Sequence, residues 1–310
     1  MTDCSRRAFL RTTLASAAVR RLVPSTRVWA VSDKPELSIV RYGSSPTDPE
    51  GIQEEAQRLT RSAIEALGGM GRFVAGGDVV WIKPNIAWSG RPQQAATTNP
   101  DVVATVVKMC FEAGAGEVHV SDNTCHKAQR TFPRSGIQQA AEAEGAEVAL
   151  VDKRKFKKMA IGGKLLKDWE IYVDMVEADK FINIPIVKHH SLCQATLGMK
   201  NLMGAVGGRR DRFHQDLSNT LSDLAAFIKP DLVVMDAIRV LTGNGPIGGS
   251  PADVSRKEVV AAGTDQVAID AFGASLLGHT PDAIGYIVEA AARGLGTADY
   301  ASLSPVEQKI

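Results

Sequence analysis

Apolar and polar positions follow two different periods along the chain, and their order predicts an α/β fold. Apolar residues recur at helical spacing over residues 51–71 and stop at Gly68-Gly69, which predicts a helix with a glycine end. The strand pattern "DVVWIKPN" follows, and then a helix pattern that Asn99 and Pro100 open. Because strands that alternate with helices are typical of βαβ units, we predict a mostly parallel sheet with helices on both faces.

This alternation is interrupted once. Residues 153–179 contain short alternating pieces, a glycine pair and many lysines, which predicts a small hairpin insertion. The lysines are interpreted as a solvated face, with binding of an anionic ligand as the alternative. The α/β pattern then resumes at "KFINIPIV". Later helices are predicted near residues 216–228, 268–278 and 282–293.

The N-terminus is interpreted as a targeting segment. "MTDCSRRAFLRTTLASAAV" resembles a twin-arginine export signal, with Phe9 and Leu10 after the arginine pair, and small residues allow cleavage after Ala30. We therefore expect a signal peptide over 1–30, the twin-arginine translocase as a partner, and a periplasmic or otherwise exported location. A cytosolic amphipathic N-terminus is the alternative. No other stretch has the roughly 20 apolar residues of a membrane span, so none is expected in the mature chain.

The mature chain, residues 31–310, is expected to form one α/β domain. The hairpin insertion divides it into two lobes, at about 31–152 and 180–310. The formal net charge is +1, which gives no global field for nucleic acid or an acidic membrane, so no nucleic-acid partner is expected. Partners must therefore be inferred from local clusters of residues.

Three cysteines, Cys110, Cys125 and Cys193, remain after the signal, and the chain has no C-x-x-C. One such chain therefore cannot bind a conventional four-cysteine iron–sulfur cluster by itself, although a shared or mixed-ligand cluster remains open. Cys110 lies on the apolar side of a predicted helix and is interpreted as core. Whether Cys125 and Cys193 pair is left open by the sequence.

Polar and titratable residues follow the predicted strands. Ligands in parallel α/β sheets lie beyond the carboxyl ends of the strands, so these residues predict a pocket there. The residues collected in this way are Lys83, Asn85, Asp122, Asn123, Cys125, His126, Lys188 to Cys193, Asp236, Asn244 and Asp265.

Two kinds of ligand are compatible with this set. His190, Cys193, Cys125 and Asp122 offer imidazole, thiolate and carboxylate ligands to a transition metal or an iron–sulfur-type cofactor, unless the cysteines are packed in the core. Magnesium is the alternative metal, held by aspartates such as Asp122, Asp236, Asp265 and Asp270; for Asp270, helix capping is favoured.

The second ligand class is an anion. Ammonium and amide groups next to glycine-rich loops hold phosphates or carboxylates, and ordinary ion pairs are the alternative for each lysine. The predicted ligand-binding residues are Lys83, Asn85, Lys200, Asn201, Asn244 and Asp265. His214 is expected either to face an anion together with Arg209, Arg210 and Arg212 or to lie in solvent.

These residues also carry a family resemblance. The block P-x-x-K-x-H at Pro185 to His190, the block T-L-x-x-K-N-x-x-G at Thr196 to Gly204, and the G-N-G-P loop at Gly243 to Pro246 occur in this order. The chain resembles the domain of unknown function 362 family over roughly residues 79–296. The resemblance implies the fold and the site rather than a reaction. Some members carry a ferredoxin-like domain, which implies redox work, but this chain lacks their C-x-x-C segments.

The leading hypothesis is an exported protein whose strand-end pocket binds a metal or metal cofactor together with an anionic ligand, for redox chemistry with a redox partner. His190, Lys188 and Asp236 are the predicted catalytic residues. Two alternatives remain open: a non-catalytic periplasmic binding protein for an anionic small molecule, and a metal-dependent hydrolase that uses the aspartates.

Overall fold

The structure is a computed structural model that describes residues 34–43 and 49–310, so the predicted signal peptide lies outside the described residues. The strands lie mainly in one large sheet, and the predicted α/β class is confirmed. They are β1 (Leu37–Arg41), β2 (Val79–Pro84), β3 (Glu117–Val120), β4 (Glu147–Val148), β5 (Phe156–Ala160), β6 (Asp168–Tyr172), β7 (Lys180–Ile184), β8 (Ile186–His190), β9 (Gln194–Thr196), β10 (Leu232–Leu241), β11 (Val254–Gly263) and β12 (Val306–Lys309).

The main sheet has the strand order β12-β1-β11-β10-β7-β2-β3-β4, so both halves of the chain contribute to it. Strands β10, β7, β2, β3 and β4 are parallel neighbours. β11 lies antiparallel between β10 and β1, and β12 is parallel to β1. β8 branches from the path, parallel to β10 and antiparallel to β9. The sheet is thus mostly parallel, with antiparallel additions at one side.

Helices cover both faces of this sheet. They are α1 (Pro49–Ala66), α2 (Pro100–Glu112), α3 (Ala128–Ser135), α4 (Ile137–Ala143), α5 (Val173–Glu177), α6 (Gly198–Asn201), α7 (Leu217–Phe227), α8 (Gln266–Leu276) and α9 (Gly285–Ala292). Successive residues of β2 face opposite ways: Val80 packs in one core cluster with α1 and α2, whereas Trp81 packs in the other with α7 and α8. In the residues that the structure describes, no helix is both long and apolar enough to span a membrane.

The hairpin predicted within residues 153–179 is present as the antiparallel pair β5 and β6. It packs against the segment that follows α6. Trp169 Nε1 donates to the Gly207 carbonyl oxygen at 3.0 Å, and the Trp169 ring lies 4.8 Å from that of Phe213. The insertion therefore supports the loop that lines one wall of the pocket described below.

Local chemistry accounts for the elements that carry the site. The side chain of Asn99 accepts the Asp101 N–H at 3.0 Å, which caps α2 directly before Pro100, as predicted. The strand expected at "EVALVD" is shorter than predicted, because pairing with β3 covers only Glu147 and Val148.

Candidate functional site

A cavity of about 460 Å³ lies beyond the ends of β2 and β3 and beside β8. Its position agrees with the general location of ligands in parallel α/β sheets. Eight of the predicted catalytic, ligand-binding and metal-binding residues line it. They are Lys83, Asn85, Asp122, Cys125, Lys188, His190, Lys200 and Asn201.

Lys83 and Asp122 form a buried ion pair. Lys83 lies near the end of β2, and Asp122 lies just after the neighbouring strand β3. Lys83 Nζ lies 2.8 Å from Asp122 Oδ1. Lys83 also donates to the Pro84 carbonyl oxygen at 3.0 Å, and Asp122 Oδ2 accepts the Ile86 N–H at 2.7 Å. Burial lowers the pKa of Lys83, and the attraction of Asp122 only partly opposes this effect.

A chain of asparagine amides fixes the wall next to this pair. Asn85 Nδ2 donates to Asn201 Oδ1 at 3.0 Å, and Asn201 Nδ2 donates to Asn183 Oδ1 at 2.8 Å. Asn183 in turn donates to the Gly198 carbonyl oxygen at 3.0 Å, at the start of α6. Because each amide group is engaged inside the protein, Asn85 and Asn201 hold the lining in place.

Lys188 projects from β8 and is 1% exposed. Its Nζ donates to Asn85 Oδ1 at 3.1 Å and to the Ala96 carbonyl oxygen. No carboxylate among residues 34–43 and 49–310 forms an ion pair with it. Burial, and next the nearby ammonium of Lys200, lower the pKa of Lys188 to about 7.

Lys200 projects from α6, is 8% exposed and has the weakest protein contacts of the three cavity lysines. Its Nζ lies 3.7 Å from Met203 Sδ, and no oxygen acceptor or carboxylate of the described residues is within bonding distance. Burial lowers the pKa of Lys200. Asp270 positions this short helix, since its carboxylate accepts the N–H groups of Gly198 at 2.6 Å and Met199 at 2.9 Å.

Two histidines and an arginine complete the polar lining. The His190 and His214 rings stack with their centroids 6.1 Å apart. Burial, and then the charge of Lys200, lower the pKa of His190 to about 3, so its imidazole is neutral. Arg210 donates to the carbonyl oxygens of Asn123 at 2.6 Å, Thr124 at 2.8 Å and Met203 at 3.0 Å.

The residues predicted as metal ligands do not assemble into a protein metal site. Among the residues that the structure describes, no group of three or more His, Cys, Asp or Glu side chains is arranged to hold a metal ion. Cys193 lies outside the cavity lining and donates from Sγ to the Ala195 carbonyl oxygen at 3.3 Å. Burial raises its pKa, and Cys193 and Cys125 are both free thiols. The protein side chains alone therefore do not fit a bound metal or cluster.

Besides Cys193, three of the predicted catalytic and ligand-binding residues lie outside the cavity lining. Asp236 is in the interior of β10, which continues to Leu241, and its carboxylate accepts the N–H of Asn99 at 2.7 Å and of Ile238 at 3.0 Å. Burial raises its pKa to about 6. Asn244 is exposed and donates to Asp253 Oδ1 at 2.8 Å. In their present positions these two residues support strand and loop structure.

Asp265, the third of them, caps α8. It accepts the N–H groups of Val267, Ala268 and Thr297, each at 2.9 Å. Asp270, for which helix capping was predicted, does cap a helix, but the helix is α6 rather than its own. The sequence could not show this, because the two elements come together only in the folded chain.

The cavity also contains residues that the sequence did not single out. Trp88 and Met203 line it, and they carry no titratable group that would have marked them; Gly204 and Pro246, which the family motifs contain, line it as well. Of the basic residues in "GGRRDRFH", Arg210 and His214 line the cavity. Arg209 is 70% exposed and pairs with Asp211 at 2.8 Å. The periodicity of a loop does not predict which of two adjacent arginines turns inward.

The fold and site define an α/β protein with a cationic pocket at the strand ends. The chain belongs to the family described as Domain of unknown function (DUF362), which its residues 80–275 match. It is similar to the thylakoid-associated protein sll1697 of Synechocystis sp., with 32% identity over 225 residues. That match covers 68% of this chain and 66% of the relative, so slightly less than two thirds of the relative's length is spanned.

Two solved structures show weak similarity to this chain. The lactate racemase apoprotein from Thermoanaerobacterium thermosaccharolyticum has 13% identity and a TM-score of 0.47, over 77% of this chain and 56% of that one. A structural-genomics protein from Thermotoga maritima has 11% identity and a TM-score of 0.33, over 64% of this chain and 52% of that one.

Proposed function

We propose that the cavity binds an anionic small molecule. The observation that carries this proposal is the position of Lys200, which is 8% exposed and whose ammonium group has the sulfur of Met203 as its one polar partner among the described residues. A buried charge without a partner is costly, and a bound phosphate or carboxylate would supply that partner. The family match is compatible with such a site and specifies no ligand.

The charge balance of the lining supports the same conclusion. Lys83, Lys188, Lys200 and Arg210 line the cavity, and the one buried carboxylate there, among the described residues, is Asp122. Asp122 is already paired with Lys83. The remaining carboxylate of the lining, Asp211, is exposed and paired with Arg209. The cavity therefore has an excess of positive charge that its own carboxylates do not neutralise.

The apolar part of the lining indicates the rest of the ligand. Trp88, Met203, Pro246 and Leu192 share the cavity with the cationic groups. Ligand sites commonly combine apolar walls with a few polar groups that fix orientation. We therefore expect a ligand with an anionic group and an apolar or ring-shaped portion.

Thermal unfolding with a panel of anions tests the proposal. Phosphate, citrate, pyruvate and phenylpyruvate are added to wild type, to Lys200→Met, and to Lys157→Met, which removes an exposed lysine of β5 as a matched control. A ligand at about 100 times its Kd stabilises the native state by roughly 2.7 kcal/mol, so the melting temperature should rise. Lys200→Met should lose the rise and Lys157→Met should keep it. Equal shifts in all three proteins, or none, would contradict the proposal.

Lys200→Met has a second expected effect that separates binding from folding. Without added anion, its melting temperature should equal or exceed that of wild type, because the substitution removes a buried charge that lacks a protein partner. A large loss of stability would show that Lys200 has a structural partner and would contradict its assignment to ligand binding.

Export through the twin-arginine route is part of the same proposal. It rests on "SRRAFL" at residues 5–10, outside the described residues. Replacing Arg6 and Arg7 together by lysine should keep the precursor in the cytoplasm, as measured by cell fractionation and immunoblotting. Wild-type protein that stays cytoplasmic, or a double variant that is exported equally well, would contradict it.

Metal-dependent redox chemistry stays a prediction from the sequence. His190, Cys125 and Asp122 line one cavity, but the described residues are not arranged to hold a metal by themselves, so a metal there would also need donor atoms from the bound ligand. Elemental analysis of protein purified without chelator tests this prediction. Stoichiometric metal that His190→Ala removes would support it, and protein without stoichiometric metal would contradict it.

A further inference from the structure

Lys188 and His190 are two residues apart on β8, and both line the cavity. Side chains at i and i+2 of a strand project from the same face, so the K-x-H pattern places an amine beside an imidazole. Lys188 differs from Lys83, which has the carboxylate of Asp122 as its partner. The polar partners of the Lys188 amine are neutral oxygens, from Asn85 and Ala96.

We propose that Lys188 is a nucleophilic amine that forms a Schiff base with the carbonyl carbon of an anionic oxo compound, such as an oxo acid. This inference rests on the proposed function, because Lys200 and Arg210 would hold the carboxylate of that compound while Lys188 meets its carbonyl group. It goes further, because it assigns a covalent step and a substrate class to the cavity.

The surroundings of Lys188 favour a neutral amine. Burial and the neighbouring ammonium groups of Lys200 and Lys83 lower its pKa to about 7, whereas a free lysine has a pKa of 10.5. Burial and nearby cations activate other lysine nucleophiles in the same way. A neutral amine has two protons, and the two acceptors of Lys188 Nζ account for both. The lone pair is then left without a protein donor among the described residues.

The reaction balances without a further reactant. Lys188 Nζ bonds to the carbonyl carbon as the C=O π bond breaks, and the oxygen takes one proton from the nitrogen. The oxygen then leaves as water with the second proton, and the product is an imine. His190 accepts the Leu192 N–H at Nδ1, at 3.2 Å, so the proton of its neutral ring is assigned to Nε2. That N–H can donate to the oxygen on which negative charge develops.

Reductive trapping tests the inference on the full mature chain. Wild-type protein is incubated with pyruvate, 2-oxoglutarate or phenylpyruvate and then treated with borohydride, which reduces an imine to a stable secondary amine. Peptide mass spectrometry then locates the adduct. We expect it on Lys188 and above the labelling of exposed Lys157. Lys188→Arg should lose the adduct, since a guanidinium remains charged and forms no imine.

If Lys188→Arg does not fold, the position of the adduct in the wild-type protein still decides the result. An adduct on Lys200, labelling no higher than that of Lys157, or no adduct with any of the three acids would overturn the inference. The corresponding hydroxy acids, which have no carbonyl group to attack, are measured in parallel by thermal shift. A shift with these acids but no adduct would overturn the Schiff base and leave anion binding intact. No shift with any anion would overturn the proposed function.

Discussion

Gly204 lies directly against the carboxylate of Asp122, the partner of Lys83. A Cβ at Gly204 would overlap Asp122 Oδ1 and would lie 2.6 Å from Lys83 Nζ. The carbonyl oxygen of Gly204 also accepts the Asn123 N–H at 3.0 Å. The loop after α6 therefore approaches the ends of β2 and β3 closely enough to cover a buried ion pair, which needs a residue without a side chain.

Gly204→Ala is expected to destabilise the protein and to disturb the cavity. The added methyl group must displace the ion pair, and overpacking of this kind costs about 1–3 kcal/mol. Urea unfolding measures the loss. Gly71→Ala is the matched control, because an added Cβ there has no neighbour within 4 Å. Equal midpoints for Gly204→Ala and wild type would show that the pair is not fixed against this glycine.

The lowered pKa of Lys188 predicts that stability rises with pH above about 7. Between a folded pKa of about 7 and the ordinary value of 10.5, the unfolded chain binds more protons, so the free energy of unfolding increases with pH. Burial raises the pKa of Asp236 to about 6 and that of Asp270 to about 7. These two carboxyl groups make the free energy of unfolding fall as pH rises, but this effect is confined to pH values at or below 7. Urea midpoints between about pH 7 and 9 therefore report mainly on the lysines.

Lys188→Met removes this contribution, so its stability should rise less with pH than that of wild type. Lys157→Met, at an exposed position of β5, should keep the wild-type slope. A wild-type slope in Lys188→Met would mean that the Lys188 amine is protonated throughout this range, which would also count against its role as a nucleophile.

Asp265 is expected to act in stability and not in ligand binding. Asp265→Ala removes the acceptor of two N–H groups at the start of α8 and of the Thr297 N–H, and should cost about 0.5–2 kcal/mol, the range for an N-cap. Asp265→Asn keeps a side-chain acceptor and should recover most of that loss. Both variants should keep the anion-induced rise in melting temperature. A rise that is lost in Asp265→Asn, despite wild-type stability, would restore the ligand-binding role predicted from the sequence.

The periodicity of the chain predicts most of the fold, because helix and strand patterns depend on local spacing. It predicts α2 from Asn99 and Pro100 and the hairpin of β5 and β6 from its short alternating pieces. It does not predict that β11 and β1 pair antiparallel or that the C-terminal β12 joins β1. Those pairings connect segments far apart in sequence, and no local pattern encodes which edges meet.

The site is predictable where a residue lies near or just beyond the carboxyl end of a strand. Lys83 and Asp122 come together because the parallel strands β2 and β3 end at the same edge, and Lys188 on β8 lines the same cavity. The same reasoning fails for Asp236, since β10 continues past it, and for Asp265, which begins a helix. A polar residue at the end of an apolar run can cap a helix, hydrogen-bond to a neighbouring segment or bind a ligand. Its role depends on the segments that pack around it in the folded chain.

Arg210 is half-buried at the cavity wall, whereas the adjacent Arg209 is exposed, so the two arginines form a matched pair. Three carbonyl oxygens hold the Arg210 guanidinium at the cavity wall, and Arg210→Lys cannot satisfy all of them in the same planar geometry. We expect a loss of anion affinity of about tenfold, or roughly 1.4 kcal/mol, measured by calorimetry with the best anion of the panel. Arg209→Lys, at a 70% exposed position, should keep wild-type affinity. Equal losses in both variants would indicate a general effect of surface charge, and no loss in Arg210→Lys would remove Arg210 from the binding site.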